Sequence, residues 1–186
     1  MLGGYGYTTE YLPEALLRDQ KLNTLHEGTS GIQGLDLLGR KVVAGGGAAL
    51  SAFAEEVERT VARARAAGVE EAWCGALEQA LSEVAALTLE VASRGLEGDV
   101  EGMLRHSADY LELFSVLAVG WCWLAQAAAA EEGLRHSAEA AEVAFYEGKR
   151  CAAQYWFTTE LPRIPARVAL VRNNEDSYAR MRPDWF

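Results

Sequence analysis

Apolar residues recur at helical spacing along most of this chain, and no stretch shows the alternation that a half-buried strand requires. Trp73, Leu77, Leu81, Val84, Leu87 and Val91 advance by three or four positions, which puts all six on one face of a helix. That face predicts a helix over about 70–93. Leu50, Phe53, Val57 and Val61 predict another over 50–67, with Gly68 closing it and a Glu55–Arg59 pair on its wet side. A third is expected from about Val100 to Glu131 and a fourth from about Leu134 to Leu161. In the fourth, Ala141, Ala144, Gly148 and Ala152 form a ridge of small residues suited to close helix contact. Leu161-Pro162 and Ile164-Pro165 are expected to stop it, and a short helix over 166–172 follows. Long amphipathic helices joined by glycine turns read as an all-α, up-and-down helical bundle.

The third helix contains Leu113–Ala130, an uncharged run that includes Trp121 and Trp123. Its length could span a bilayer. A helix apolar all round is also what the middle of a bundle needs, and Ser115, Gly120, Gln126 and many alanines favour that reading. The bundle has no Glu-x-x-His pairs, so a di-iron site is rejected. His106 and His136 are expected to be exposed or capping. Cys74, Cys122 and Cys151 form no CxxC and are expected as small buried hydrophobes in a reducing compartment. No metal site is expected. The net charge of −10 argues against nucleic acid and against anionic membranes as partners. With no signal peptide visible, a cytoplasmic chain is expected.

The chemistry-bearing stretch lies before the bundle. Leu25-His26-Glu27-Gly28-Thr29-Ser30-Gly31-Ile32-Gln33 sets one glutamate on a loop. Gly28 permits close backbone approach, and Thr29 is a good N-cap for a helix starting at Ser30. A carboxylate at a helix start is a plausible acid or base beside a bound anion. The same residues also read as an ordinary loop with a solvated glutamate. Upstream, Pro13 opens a helix of about ten residues with Leu16 and Leu17 on its apolar side. Downstream, Ile32, Leu35, Leu38 and Val42 form a stripe, and Gly45-Gly46-Gly47 marks a boundary. The terminal Trp185 and Phe186 are expected to dock.

The order Gly3-Gly4-Tyr5-Gly6, Pro13, Arg18-Asp19, Glu27-Gly28-Thr29, Ile32-Gln33 resembles the C-terminal domain of the acyl-CoA dehydrogenase family, densely over residues 2–43. The rest resembles, by composition, the extra helical domain of larger members such as methylthiopropanoyl-CoA dehydrogenase. The resemblance implies residues 1–45 as a remnant of the dehydrogenase C-terminal domain and 46–186 as an extra four-helix bundle with a tail. It implies Glu27 as the base that removes the α-proton of an acyl-CoA thioester, with Gly28 beside the thioester. Thr29, Ser30 and Gly31 match positions that contact FAD. Gly3 and Gly4 match a loop reaching the FAD of a neighbouring subunit, which implies a homo-oligomer. His26 stands where a tyrosine is common, and Gly31 where a polar residue is common. The dehydrogenase's N-terminal helical and middle β-domains have no counterpart here. A fragment, or a subunit that is not catalytic alone, is therefore expected. The alternatives weighed are a helical dimerisation or interaction module and a membrane-associated bundle.

Overall fold

The structure, a computed structural model, describes residues 2–26, 28–137 and 139–186. Among them there is no strand, and the fold is all-α. The helices are α1 (Leu12–Leu22), α2 (Ser30–Asp36), α3 (Ala44–Ala67), α4 (Glu71–Leu96), α5 (Val100–Leu104), α6 (Ser107–Leu134), α7 (Ala140–Tyr155) and α8 (Ile164–Asn173). A π-helical turn, Leu37–Lys41, extends α2 without a break in the chain.

Side-chain pairs fix the directions. Thr60 meets Trp121, Arg63 meets Glu132 and Ala67 meets Arg135, so α3 and α6 run parallel. Thr88 meets Tyr110 and Leu77 lies beside Gly120, so α4 runs against α6. Lys149 meets Gln126, Arg150 meets Glu131 and Arg167 meets Glu112, so α7 and α8 both descend along α6. The order is up, down, up, down, and the fourth position is filled by a broken rod. Of its two halves, α8 packs on both α4 and α6.

The prolines expected to stop the fourth helix redirect it instead. A π-helical turn at Trp156–Glu160 and a 3-10 turn at Leu161–Arg163 lead into α8, where Pro165 sits in the first turn. A proline is tolerated there because its missing N–H has no helical partner to lose. The third helix is also interrupted, at Arg105 and His106 between α5 and α6. α6 is long and apolar enough to cross a membrane by length and composition. It stands at the centre, packed against α2, α3, α4, α7 and α8.

The expected face of α4 is buried at all six positions, and Leu113, Leu117 and Leu124 of α6 are fully buried against it. Tyr110 is enclosed as well. Thr88 donates its proton to the Val84 carbonyl at 2.7 Å, so at 2.6 Å the Tyr110 hydroxyl donates to Thr88. Burial pushes the Tyr110 phenol up to about 12. At the triple glycine φ is +59°, +68° and +86°, a left-handed elbow that side chains disfavour, and the regular part of α3 begins after it.

Several expectations are corrected. The ridge of small residues on α7 faces solvent at Ala141, Ala144 and Gly148, because Tyr146 and Ala153 turn toward the bundle instead. Cys74 is buried, but Cys122 and Cys151 are exposed, since both lie on outward helix faces. The expected Glu55–Arg59 pair is present, at 4.0 Å, and Arg59 also holds Glu56, at 2.5 Å. Leu16 and Leu17 are exposed because, among the described residues, the main packing of α1 is on the N-terminal turn Gly3–Tyr7. Trp185 and Phe186 are exposed beyond the last bundle helix, and Tyr178 is the aromatic residue of that tail that reaches back, to Arg105.

Candidate functional site

The loop before α2 turns at Gly28, where φ is +113° and an added Cβ would lie 3.2 Å from Ile32 Cγ2. Glycine is needed there for both reasons. Thr29 occupies the N-cap position with extended backbone, but its side chain caps no helix N–H. The expected site residue Glu27 lies outside the described residues.

The way α2 meets α6 decides what this segment exposes. A Cβ on Gly34 would lie 2.5 Å from the Ser107 carbonyl oxygen, so the two backbones touch. That contact turns Leu38 and Val42 into the core and leaves Ile32 and Leu35 exposed, which corrects the expectation of one four-residue stripe. Ile32 and Leu35, with Thr29 and Gly31, become one wall of a cleft of about 690 Å³. Val100, Leu104, Arg105 and Tyr178 contribute the opposite side.

Arg105 is the cation of this cleft. Its side chain is largely buried, at 15% exposure. Nη1 donates to the Asn174 carbonyl at 3.2 Å, and Nη2 lies 3.5 Å from a Glu101 carboxylate oxygen. Nε is buried without a hydrogen-bond partner. The Tyr178 hydroxyl donates to the Arg105 carbonyl at 2.8 Å. Next to it, the His106 ring bridges an Asp109 carboxylate oxygen at 3.2 Å and the Glu175 carbonyl at 3.0 Å. His106 is therefore enclosed, not a free surface group, and it helps hold residues 174–178 against the start of α6. His136 is exposed, with Nδ1 2.8 Å from the Glu132 carbonyl at the end of α6.

Of the other expected site residues, Thr29 and Gly31 line the cleft, while Ser30 stands beside it on the exposed side. Gly3 and Gly4 belong to the separate N-terminal turn and do not line it. Arg105 and Tyr178 were missed from sequence, since nothing local ties them to a loop so far upstream. Among the described residues, no group of three or more His, Cys, Asp or Glu side chains could hold a metal.

Residues 53–182 match the family model described as acetyl-CoA dehydrogenase C-terminal like. The chain is 30% identical over 168 residues to the broad-specificity linear acyl-CoA dehydrogenase FadE5 of Mycobacterium tuberculosis, covering 88% of this chain and 28% of that one. It is 30% identical over 180 residues to 3-methylmercaptopropionyl-CoA dehydrogenase of Ruegeria pomeroyi, covering 94% and 29%. A shorter match, 56% identical over 39 residues, is to butyryl-CoA dehydrogenase of Syntrophomonas wolfei, covering 21% and 6%. The chain thus spans less than a third of the length of the relatives it matches.

Proposed function

Because the chain belongs to the acetyl-CoA dehydrogenase C-terminal-like family, we propose that it serves as the C-terminal part of an FAD-dependent acyl-CoA dehydrogenase, which removes hydrogens from the α and β carbons of an acyl-CoA thioester. Residues 1–45 carry the site segment, and 46–186 form the bundle behind it. The observation that carries this reading is the Gly28–Gly31 segment opening on a cleft that also holds Arg105.

The residues fit the phosphate-bearing part of the cofactor. Thr29 offers a hydroxyl committed to no helix N–H. An added Cβ on Gly31 would meet only the Thr29 hydroxyl, at 4.0 Å, so a ligand can come close. Arg105 supplies a cation to the same cleft. Thr29, Ser30, Gly31 and Arg105 would hold the group, and Gly3 and Gly4 would reach toward the cofactor of a second subunit in a homo-oligomer. When bound, FAD supplies the acceptor for the β-hydride, which no side chain can replace. Glu27 takes the α-proton, and Gly28 leaves room for the thioester beside it. A carboxylate can do this only where fixed donors polarise the thioester carbonyl. The remainder of the flavin cradle would come from dehydrogenase domains outside this chain, so catalysis by these residues alone is not expected.

The test is to assemble the chain with those domains and measure flavin absorbance together with acyl-CoA-dependent reduction of a dye. Glu27→Gln is expected to keep the flavin and lose at least about 100-fold in turnover, the lower range for a general base. Full turnover in that variant removes Glu27 as the base. A colourless, tightly dimeric assembly supports the interaction-module reading instead.

A further inference from the structure

We propose that residues 174–178 form a pH-sensitive strap beside the Thr29–Arg105 cleft. His106 fastens the strap while its ring is doubly protonated and releases it when neutral, so one proton decides how firmly Tyr178 walls that cleft. The dehydrogenase reading enters only for what the cleft holds; the clasp itself does not depend on it.

The two partners of the ring are both acceptors. Nδ1 lies 3.2 Å from an Asp109 carboxylate oxygen, and Nε2 lies 3.0 Å from the Glu175 carbonyl oxygen. A carbonyl and an ionised carboxylate accept and never donate. A neutral imidazole carries one N–H and one lone pair, so in either tautomer a lone pair faces an oxygen. Only the imidazolium donates to both. The side chain is 12% exposed, so water does little to replace a lost partner. Which bond yields follows from the acceptors. A hydrogen bond to an ionised group is about twice as strong as one between neutral groups. The neutral ring therefore keeps its proton on Nδ1, toward Asp109, and turns a lone pair on the Glu175 carbonyl. The bond lost is the one to the strap.

The other charged groups around the ring have partners of their own. Glu101 of α5 lies by Arg105. In the strap, the Glu175 carboxylate accepts from the Ser177 N–H and hydroxyl, and Asp176 holds Arg180 at 2.9 Å. On α2, Asp36 holds Arg40 and Lys41. The Tyr178 ring stands edge-on to His106, with centroids 6.2 Å apart. The strap is held as well by Arg105 Nη1 donating to the Asn174 carbonyl and by the Tyr178 hydroxyl donating to the Arg105 carbonyl. Before it, the end of α8 is fixed to α4, where Arg94 donates to the Arg172 carbonyl and Arg172 to Glu90. Deprotonation thus loosens a segment that stays tethered at its start. Histidine changes charge between about pH 5 and 8, so the strap is held most firmly at the acid end of that range and less firmly as pH rises through it.

The test follows the whole chain by NMR from about pH 5 to about 8.5, across the histidine range. Ring nitrogen shifts of His106 report which nitrogens carry protons. Amide exchange over residues 175–180, divided by the intrinsic rate at each pH, reports how often the strap opens, with amides in the middle of α4 as the reference. Opening is expected to rise about fivefold with pH, the amount that one hydrogen bond carries, in step with loss of the Nε2 proton. Asp109→Asn offers an N–H to Nδ1, so that a neutral ring keeps its proton on Nε2. In that variant the strap is expected to stay held at every pH, with the fivefold step gone. His106→Ala is expected to open the strap at every pH at least as far as the wild type opens at high pH. A wild-type strap whose opening is flat with pH, a neutral ring that keeps its proton on Nε2, or a step that survives in Asp109→Asn overturns the inference. Each of these results leaves the dehydrogenase reading standing, because no flavin or thioester is present; that reading is judged by flavin binding and turnover in the assembled enzyme.

Discussion

Gly34 shows how one missing side chain can orient a whole segment. Its would-be Cβ meets the carbonyl oxygen of Ser107 at 2.5 Å and the carbonyl carbon at 2.8 Å. Both atoms are backbone, so no rotamer change relieves the clash. Gly34→Ala is expected to destabilise the chain by about 1–3 kcal/mol, the usual cost of overpacking, read as a lower denaturation midpoint with an unchanged denaturant slope. Gly31→Ala, which meets only the Thr29 hydroxyl at 4.0 Å, is expected to leave the midpoint nearly where it was. The contrast separates a glycine needed for packing from one that lines a cleft. It also shows where sequence reading ran short. Periodicity can say that Ile32, Leu35, Leu38 and Val42 share a stripe, but a close-approach glycine rotated the helix so that only the last two are buried. The Thr29–Gly31 half of the cleft was legible because its residues are neighbours in sequence. Arg105 and Tyr178 were not, because only the folded bundle brings them there.

At the scale of elements, the helices with one sharp apolar face were legible almost to their ends, as in α3 and α4. The breaks that lack a glycine or proline were not. α5 and α6 part at Arg105 and His106, where the signal is tertiary: both residues are bound to the segment 174–178. Charge pairs tie the elements from outside. Arg63 of α3 holds Glu132 of α6 through two donors, at 3.0 and 2.6 Å, and its guanidinium keeps the Glu132 carboxyl below its ordinary 4.5. The sign of the linkage follows from that depression. The pair's contribution is present at pH above about 4.5 and is lost as pH falls through the lower folded-state value. The thermal midpoint is therefore expected to drop on acidification below 4.5, and Glu132→Gln is expected to flatten part of that drop. Added salt should act in the same direction as the mutation, because the pair is exposed and screened. A melting series over pH at two ionic strengths checks both. An unchanged acid limb in Glu132→Gln would show that this tie carries no measurable stability.

For the whole molecule, the unequal distribution of apolar surface is the informative feature. From α3 onward the core is continuous, with Leu38 and Val42 the first residues to join it. Ahead of them, Leu12, Leu16, Leu17, Leu22 and Leu25 are all more than half exposed, on a segment that buries no residue of its own helix. A helix with an unburied apolar side gains little from folding alone, and several exposed leucines together mark a surface that another protein covers. The relatives are more than three times the length of the matched part, so the cover proposed here is the remainder of a dehydrogenase. The consequence is a separation of stability from assembly. The double change Leu16→Ala and Leu17→Ala is expected to shift the chain's own unfolding free energy by no more than about 0.5 kcal/mol, the usual range for exposed positions. In the assembled enzyme the same change removes two buried leucines and is expected to weaken association by tenfold or more, measured by sedimentation or by loss of bound flavin on dilution. A large loss of stability in the isolated chain, with association untouched, would place the partner of α1 inside the bundle and take away its role as a docking surface.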